Sequence, residues 1–452
     1  MRIRFLAVFS VAALALPALE APVSALTLLT RGKVLKLKGE ADPTQSHGML
    51  RVGQDSALAA APDPTCPTAS NFELGLFTVA TGRIERGAKL VLDCAKWRRK
   101  GRGWIYADPD VMDGVKRIHY GSGGLLVQLR GNAVLPAPGP VGYAQAWFEV
   151  GAERFHVRFH QFARNQASVI ASVKPSKNAA LGEADFWAAL WGDDTSEAHE
   201  QATLDALTRA ARRSRTDARS RFLTGMFHLY RFGQMTTSIA NVDAAAATEI
   251  EAAVAAFDEA EPLLWDRVTE SGDSRVPGFA GAARYVLALV TANEALRQQA
   301  LADLEYAIEI NAFFNVFDLV TVIQFEPPSS AAFQMAFNAV ATYLSDPETL
   351  SCLASQPEIC STTGLAPSGL SGALVLFGDV YAKAGNAAQA TTWYSLAAAT
   401  EAGWAFEGLA ANRLASVAAR VAAYGDADPS NDPPVIGAGA EACVNCHYRQ
   451  RD

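Results

Sequence analysis

Two thiols and an imidazole stand close together in the 452-residue chain: Cys443, Cys446 and His447, in the order C-x-x-C-H. Thiols three residues apart can add to the two vinyl groups of a haem. A histidine directly after the second thiol then reaches the iron from one face. A redox dithiol or a plain disulfide needs only the two cysteines. Zinc needs further Cys or His ligands brought in by the fold. The spacing therefore predicts one covalent haem c with His447 as the proximal iron ligand, and a tail disulfide is the competing reading.

Only Tyr448 to Asp452 follow the motif, so the group facing His447 across the iron must come from upstream residues or from a partner. His228 and His160 are the candidates. Met235 lies seven residues after His228, about two helical turns, and shares its face if the helix continues through Gly233. A packing position is the plainer account of His228. His160, in FHVRFHQF, shares a strand face with His156 and opposes Phe155 if the strand runs on. Two surface histidines are the plainer account there. A distal position left open would allow a small ligand to bind. Asp303, Glu305 and Glu309 share a helix and read as a solvated face. The triplets Asp108, Asp110, Asp113 and Asp426, Asp428, Asp432 have oxygen-ligand spacing but read as ordinary turns. No nucleophile–base–orienter set stands out, so the sequence assigns no enzymatic activity.

The remaining cysteines are read through the compartment. Residues 1–25 carry Arg2 and Arg4, an apolar run from Phe5 to Leu19 and the small-x-small site Val23-Ser24-Ala25. That is a signal peptide, too short and too proline-broken at Pro17 to anchor the chain. A periplasmic or extracellular location follows, and oxidising surroundings favour disulfides pairing Cys66 with Cys94 and Cys352 with Cys360. No later stretch reads as a transmembrane span. With 39 Lys and Arg against 47 Asp and Glu, the net charge is −8. Only WRRKGRGW at 97–104 is locally basic, and it reads as a solvated loop between strands. A nucleic-acid partner is not expected.

The elements that must position these residues fall into two blocks. Residues 26–165 alternate apolar and polar residues between Gly, Pro and Asp turns, as in RGKVLKLKG and AWFEVGAERFHVRF. They predict an antiparallel β-sandwich or barrel. Residues 166–425 switch to helical period, as in QATLDALTRAARRSR and EIEAAVAAFDEAEPLL. Residues 426–452 form a polar, Pro/Gly-rich tail that carries the thiols, either a tether or a surface strap. The fold class is α+β, with several domains.

Two resemblances add to this reading. Gly378, Tyr381, Gly385, Ala390, Tyr394 and Ala397 stand where a tetratricopeptide repeat places its small and aromatic packing residues. Degenerate copies are expected around Phe222, Gly225 and His228 with Ala252–Ala260, and around Leu301–Ile310. The resemblance implies a helical array of three or four hairpins that docks a peptide or partner protein. Lys96-Trp97 and Tyr106-Ala107-Asp108 resemble a small β-domain of exported deltaproteobacterial proteins, which often carries a cysteine where this chain has His156. That likeness implies no activity. In small cytochromes c the haem motif opens a wrapping domain, and here that domain is missing. Together these readings favour an exported monohaem electron-transfer protein on a repeat scaffold. The alternatives are a colourless interaction or surface-assembly module and an enzyme with an open haem site.

Overall fold

The computed structural model describes most of residues 26–435. Outside the description lie 1–25, 351–368 and 436–452, with shorter stretches such as 29–33, 132–140, 160–161, 173–176, 401–405 and 427–431.

Among the described residues fourteen strands build the first unit: β1 (Leu26–Leu28), β2 (Val34–Lys38), β3 (His47–Val52), β4 (Ser70–Thr78), β5 (Arg83–Arg86), β6 (Leu90–Leu92), β7 (Trp97–Lys100), β8 (Gly103–Ala107), β9 (Gly114–Gly121), β10 (Gly124–Arg130), β11 (Val141–Val150), β12 (Glu153–Phe159), β13 (Phe162–Gln166) and β14 (Val169–Ser172). They form two open sheets. One runs β1-β12-β11-β4-β5, with β6 also on β4; the other runs β13-β14-β2-β3-β10-β9-β8-β7. All pairs are antiparallel except β1 on β12. Neither sheet closes, so the arrangement is a sandwich and the barrel alternative falls away. The last strand pair also carries the unit on to Ser172, past the expected boundary at 165.

Alternation dictates what lies inside. Leu35, Leu37, Leu50, Val52, Val127 and Leu129 of the eight-stranded sheet meet Phe72, Leu74, Leu76, Phe148, Phe155 and Val157 of the six-stranded sheet in one core. The Trp97 ring is set among Tyr106, Tyr120 and Phe148 at 5.3, 5.5 and 6.2 Å, and its Nε1 donates to Ser70 Oγ. Lys96 pairs with Asp108. The Lys-Trp and Tyr-x-Asp residues thus bind one strand of a hairpin to the other. WRRKGRGW is therefore not a loop but that hairpin, with its basic side chains outward and Trp97 in the core.

The second unit contains α1 (Lys177–Leu190), α2 (Glu197–Arg213), α3 (Ala218–Met235), α4 (Ala244–Leu264), the short hairpin β15–β16 (Trp265–Asp266, Ser271–Gly272), α5 (Val276–Val290), α6 (Glu294–Asn315), α7 (Val320–Phe325), α8 (Ala331–Ser345), α9 (Gly369–Lys383), α10 (Ala387–Thr400), α11 (Leu409–Ala415) and α12 (Val417–Gly425). Ser196, Asp217, Asp243, Asn293 and Ser330 cap the helices that follow them by accepting a backbone N–H. Consecutive helices pair as α1/α2, α3/α4, α5/α6 and α9/α10. Each pair places a glycine against a large side chain: Gly182 on Leu207, Gly225 on Phe257, Gly281 on Leu304 and Gly378 on Tyr394. Gly385, at φ +80°, makes the turn between α9 and α10. Two hydrophobic clusters result, one from α1 to α5 and one from α5 onward, with Phe406 packed on both. No described helix is long and apolar enough to cross a membrane.

Candidate functional site

The described chain nearest the thiols is Asp432–Val435, and the structure shows what holds it. Asp379, on α9, is fully buried. It accepts from Tyr394 Oη at 2.6 Å and Arg420 Nη2 at 2.8 Å, and Arg413 Nε lies 3.2 Å away. The two arginines reach past it to the strap: Arg420 Nη2 donates to Pro434 O at 3.0 Å and Arg413 Nη2 to the same oxygen at 3.2 Å. Tyr424 Oη donates to Pro433 O at 2.6 Å. Lys383, almost fully buried, donates to Gln324 O and lies 3.7 Å from Asp432. Val435 inserts into the second helical core at 2% exposure.

The chemistry explains the choice of residues. Proline has no N–H, so Pro433 and Pro434 offer carbonyls that no regular ladder uses. Guanidinium groups supply several donors in a fixed fork and can serve Asp379 and a carbonyl at once. Burial pushes the Tyr394 hydroxyl well above its ordinary proton affinity, and the Asp379 charge pushes it further; Tyr424 shifts the same way for the same reasons. Both phenols stay neutral donors. Burial lowers the affinity of Lys383 for its proton, and Asp432 works against that. Cys443 lies eight residues after Val435, a span of at most about 28 Å.

Cys443, Cys446 and His447 themselves lie outside the described residues, as do Cys352, Cys360, His160 and the segment 1–25. Cys66 and Cys94 form the expected disulfide, with Cα atoms 4.9 Å apart. His228 sits on α3, which continues through Gly233 to Met235, so both side chains share a face. Its Nδ1 lies 2.6 Å from Glu249 Oε2, and Arg231 holds the other oxygen at 3.2 Å. A carboxylate on Nδ1 fixes the orientation of the ring, an arrangement also found behind metal-binding histidines. The donor chemistry fits an axial ligand. However, His228 belongs to the first helical cluster and the strap to the second, and the described residues do not bring them together.

Two expectations need correction. His156 is not a surface histidine. It is fully buried, stacked on Trp147 at 5.2 Å and bonded to Gln145, because this face of the six-stranded sheet is covered. Asp303 does not belong to a solvated face. It is buried and held by Arg267 and Arg284, which also engage Glu261. Only Glu305 and Glu309 of that trio are exposed. Among the aspartate triplets, Asp108 is taken by Lys96 and Asp432 by Lys383. Among the described residues no three Asp, Glu, Cys or His groups converge as a metal site.

The clasp residues Asp379, Lys383, Arg413, Arg420 and Tyr424 are what sequence reasoning missed. The signal was present: a lone aspartate inside the apolar run ALVLFGDVY, two arginines seven apart in the following helices, and a Pro-Pro pair in the tail. No family model matches the chain, and neither a curated protein nor a solved structure matches it.

Proposed function

We propose that this is an exported monohaem c-type electron-transfer protein in which a helical scaffold presents a tethered haem to a partner protein. The observation that carries the reading is the clasped strap directly ahead of the C-x-x-C-H motif: five buried or half-buried polar side chains fix Asp432–Val435, and the thiols follow eight residues later. A haem bound there would supply one-electron chemistry at iron. Cys443 and Cys446 would hold it covalently and His447 would ligate it. His228, oriented by Glu249, is the described side chain whose chemistry suits the opposite face. The four helical hairpins are read as a tetratricopeptide-like array whose exposed face docks the partner. The Cys66–Cys94 disulfide accords with an oxidising compartment, periplasmic or extracellular.

Expression with haem-attachment machinery, followed by a reduced pyridine haemochrome spectrum and mass spectrometry of the denatured chain, tests this. The expected result is one covalent haem, lost in Cys443→Ala/Cys446→Ala. A colourless chain, beside a control cytochrome that matures, would leave a binding module whose tail cysteines form a disulfide.

A further inference from the structure

The two units carry opposite charge. Residues 26–176 contain 20 Lys and Arg against 12 Asp and Glu, a surplus of eight positive charges; residues 177–452 contain 17 against 34, a surplus of seventeen negative. Five of the positive charges meet on one face. Along β2 the burial alternates, so Leu35 and Leu37 point into the core while Lys36 and Lys38 point out. The register places Lys36 beside Met49 of β3 and Ala171 of β14, with Arg164 next across the sheet. On the far side Arg130 and the bulge residue Lys116 close the same surface. Together these five cations line a cleft of about 1110 Å³ across the outer face of the eight-stranded sheet. Its floor is neutral, and the one carboxylate in its lining, Glu40, is already paired with Lys38.

Residues 301–350 hold seven Asp and Glu and no Lys or Arg. Asp303, Asp318 and Glu326 among them are buried, and the exposed acidic pair lies on α6. On α6, Glu305 and Glu309 are exposed one turn apart, on the face opposite the buried Leu304 and Ala307. The chain cannot bring its own α6 to its own cleft. The helical unit packs on the other sheet, where β11 meets β16 and the outward side chains Trp147 and His156 are buried. The cationic face points the opposite way across the two-layer sandwich.

We propose that the cationic cleft of the β-unit docks the acidic α6 face of a second copy, so that copies associate head to tail. A helix with its side chains is about 10–12 Å across, roughly two strand spacings of the sheet it would lie on. The contact is heterologous: each copy keeps one free cleft and one free acidic face, and assembly ends only if a ring closes. Charge also guides the encounter, since opposite fields several charges strong raise association rates at low salt. This inference is independent of the haem.

Sedimentation velocity of the full chain tests it with two variants, Lys36→Glu/Lys116→Glu and Glu305→Lys/Glu309→Lys. All four side chains are exposed. The wild type should associate at about 20 mM salt and dissociate at about 300 mM, where screening shortens the reach of surface charge. Each variant alone should lose association at least roughly ten-fold. Mixed together they should associate again, because one brings an intact acidic face and the other an intact cleft. A wild type that stays monomeric at low salt, or a mixture that does not pair, overturns the proposal. So does a monomer that uses Lys36 and Lys116 to retain heparin or duplex DNA, which would give the cleft to a polyanion instead.

Discussion

Asp379 is one buried carboxylate facing two guanidinium groups and a phenol, of which only Arg413 is partly exposed. Removing one partner of a buried ion pair leaves the others uncompensated. Asp379→Asn should lower stability by about 3 kcal/mol in urea denaturation and speed proteolysis of the tail beyond residue 426. Unchanged tail cleavage would mean that the strap is held by Val435 alone. Asp318 presents the reverse situation. It is buried, its Oδ2 has no hydrogen-bond partner among the described residues, and it crowds the Cα of Gly278. Burial raises its carboxyl well above the ordinary carboxylate range, so the fold holds that proton more tightly than the unfolded chain does. The unfolded chain gives up that proton above about pH 4, so Asp318 favours the fold at acid pH and progressively loses that contribution as pH rises. Asp318→Asn should therefore melt above the wild type at pH 7, with the gap closing as the pH falls toward 4. Asp379 stands out in the sequence as a lone aspartate in an apolar run, whereas Asp318 sits in the turn between α6 and α7 with nothing in the sequence to mark it. What decides both roles is burial, which depends on neighbours far along the chain.

The elements themselves were largely legible. Leu35 and Leu37 alternate with Lys36 and Lys38, and the structure faces them inward and outward accordingly. What period alone could not show was which second face would be covered. The strand with Trp147 and its partner with His156 look half-solvated by alternation, yet both faces of that sheet are packed. Close helix approach is also an element-scale property and separates two glycines of one hairpin. A methyl at Gly378 would overlap the Tyr394 ring, whereas one at Gly385 meets nothing and suffers only from its positive φ. Gly378→Ala should cost about 2–3 kcal/mol and Gly385→Ala about 1 kcal/mol, measured by chemical denaturation. Equal costs would show that α9 and α10 can separate without penalty.

At the scale of the whole molecule, two units with separate cores are joined through β11 and β16, and one disulfide lies in the first. Cys66 and Cys94 close a 28-residue loop just ahead of Trp97. Replacing both by alanine should destabilise the sandwich by roughly 3–4 kcal/mol, read as earlier hydrogen exchange across the strands of the first unit while the helical circular dichroism melts later. Simultaneous loss would mean that the two units unfold as one. The charge division between the units was countable in the sequence, but its gathering onto one sheet face needed the register of β2, β3 and β10. The strap has a consequence of its own. With Val435 fixed in the core, Cys443 is confined to a sphere of at most about 28 Å radius, which corresponds to an effective concentration on the order of 10 mM at every surface inside it. A contact too weak to be detected between separate molecules would be mostly occupied there, so the tail can be held against the scaffold by very little and released by a partner that offers only slightly more.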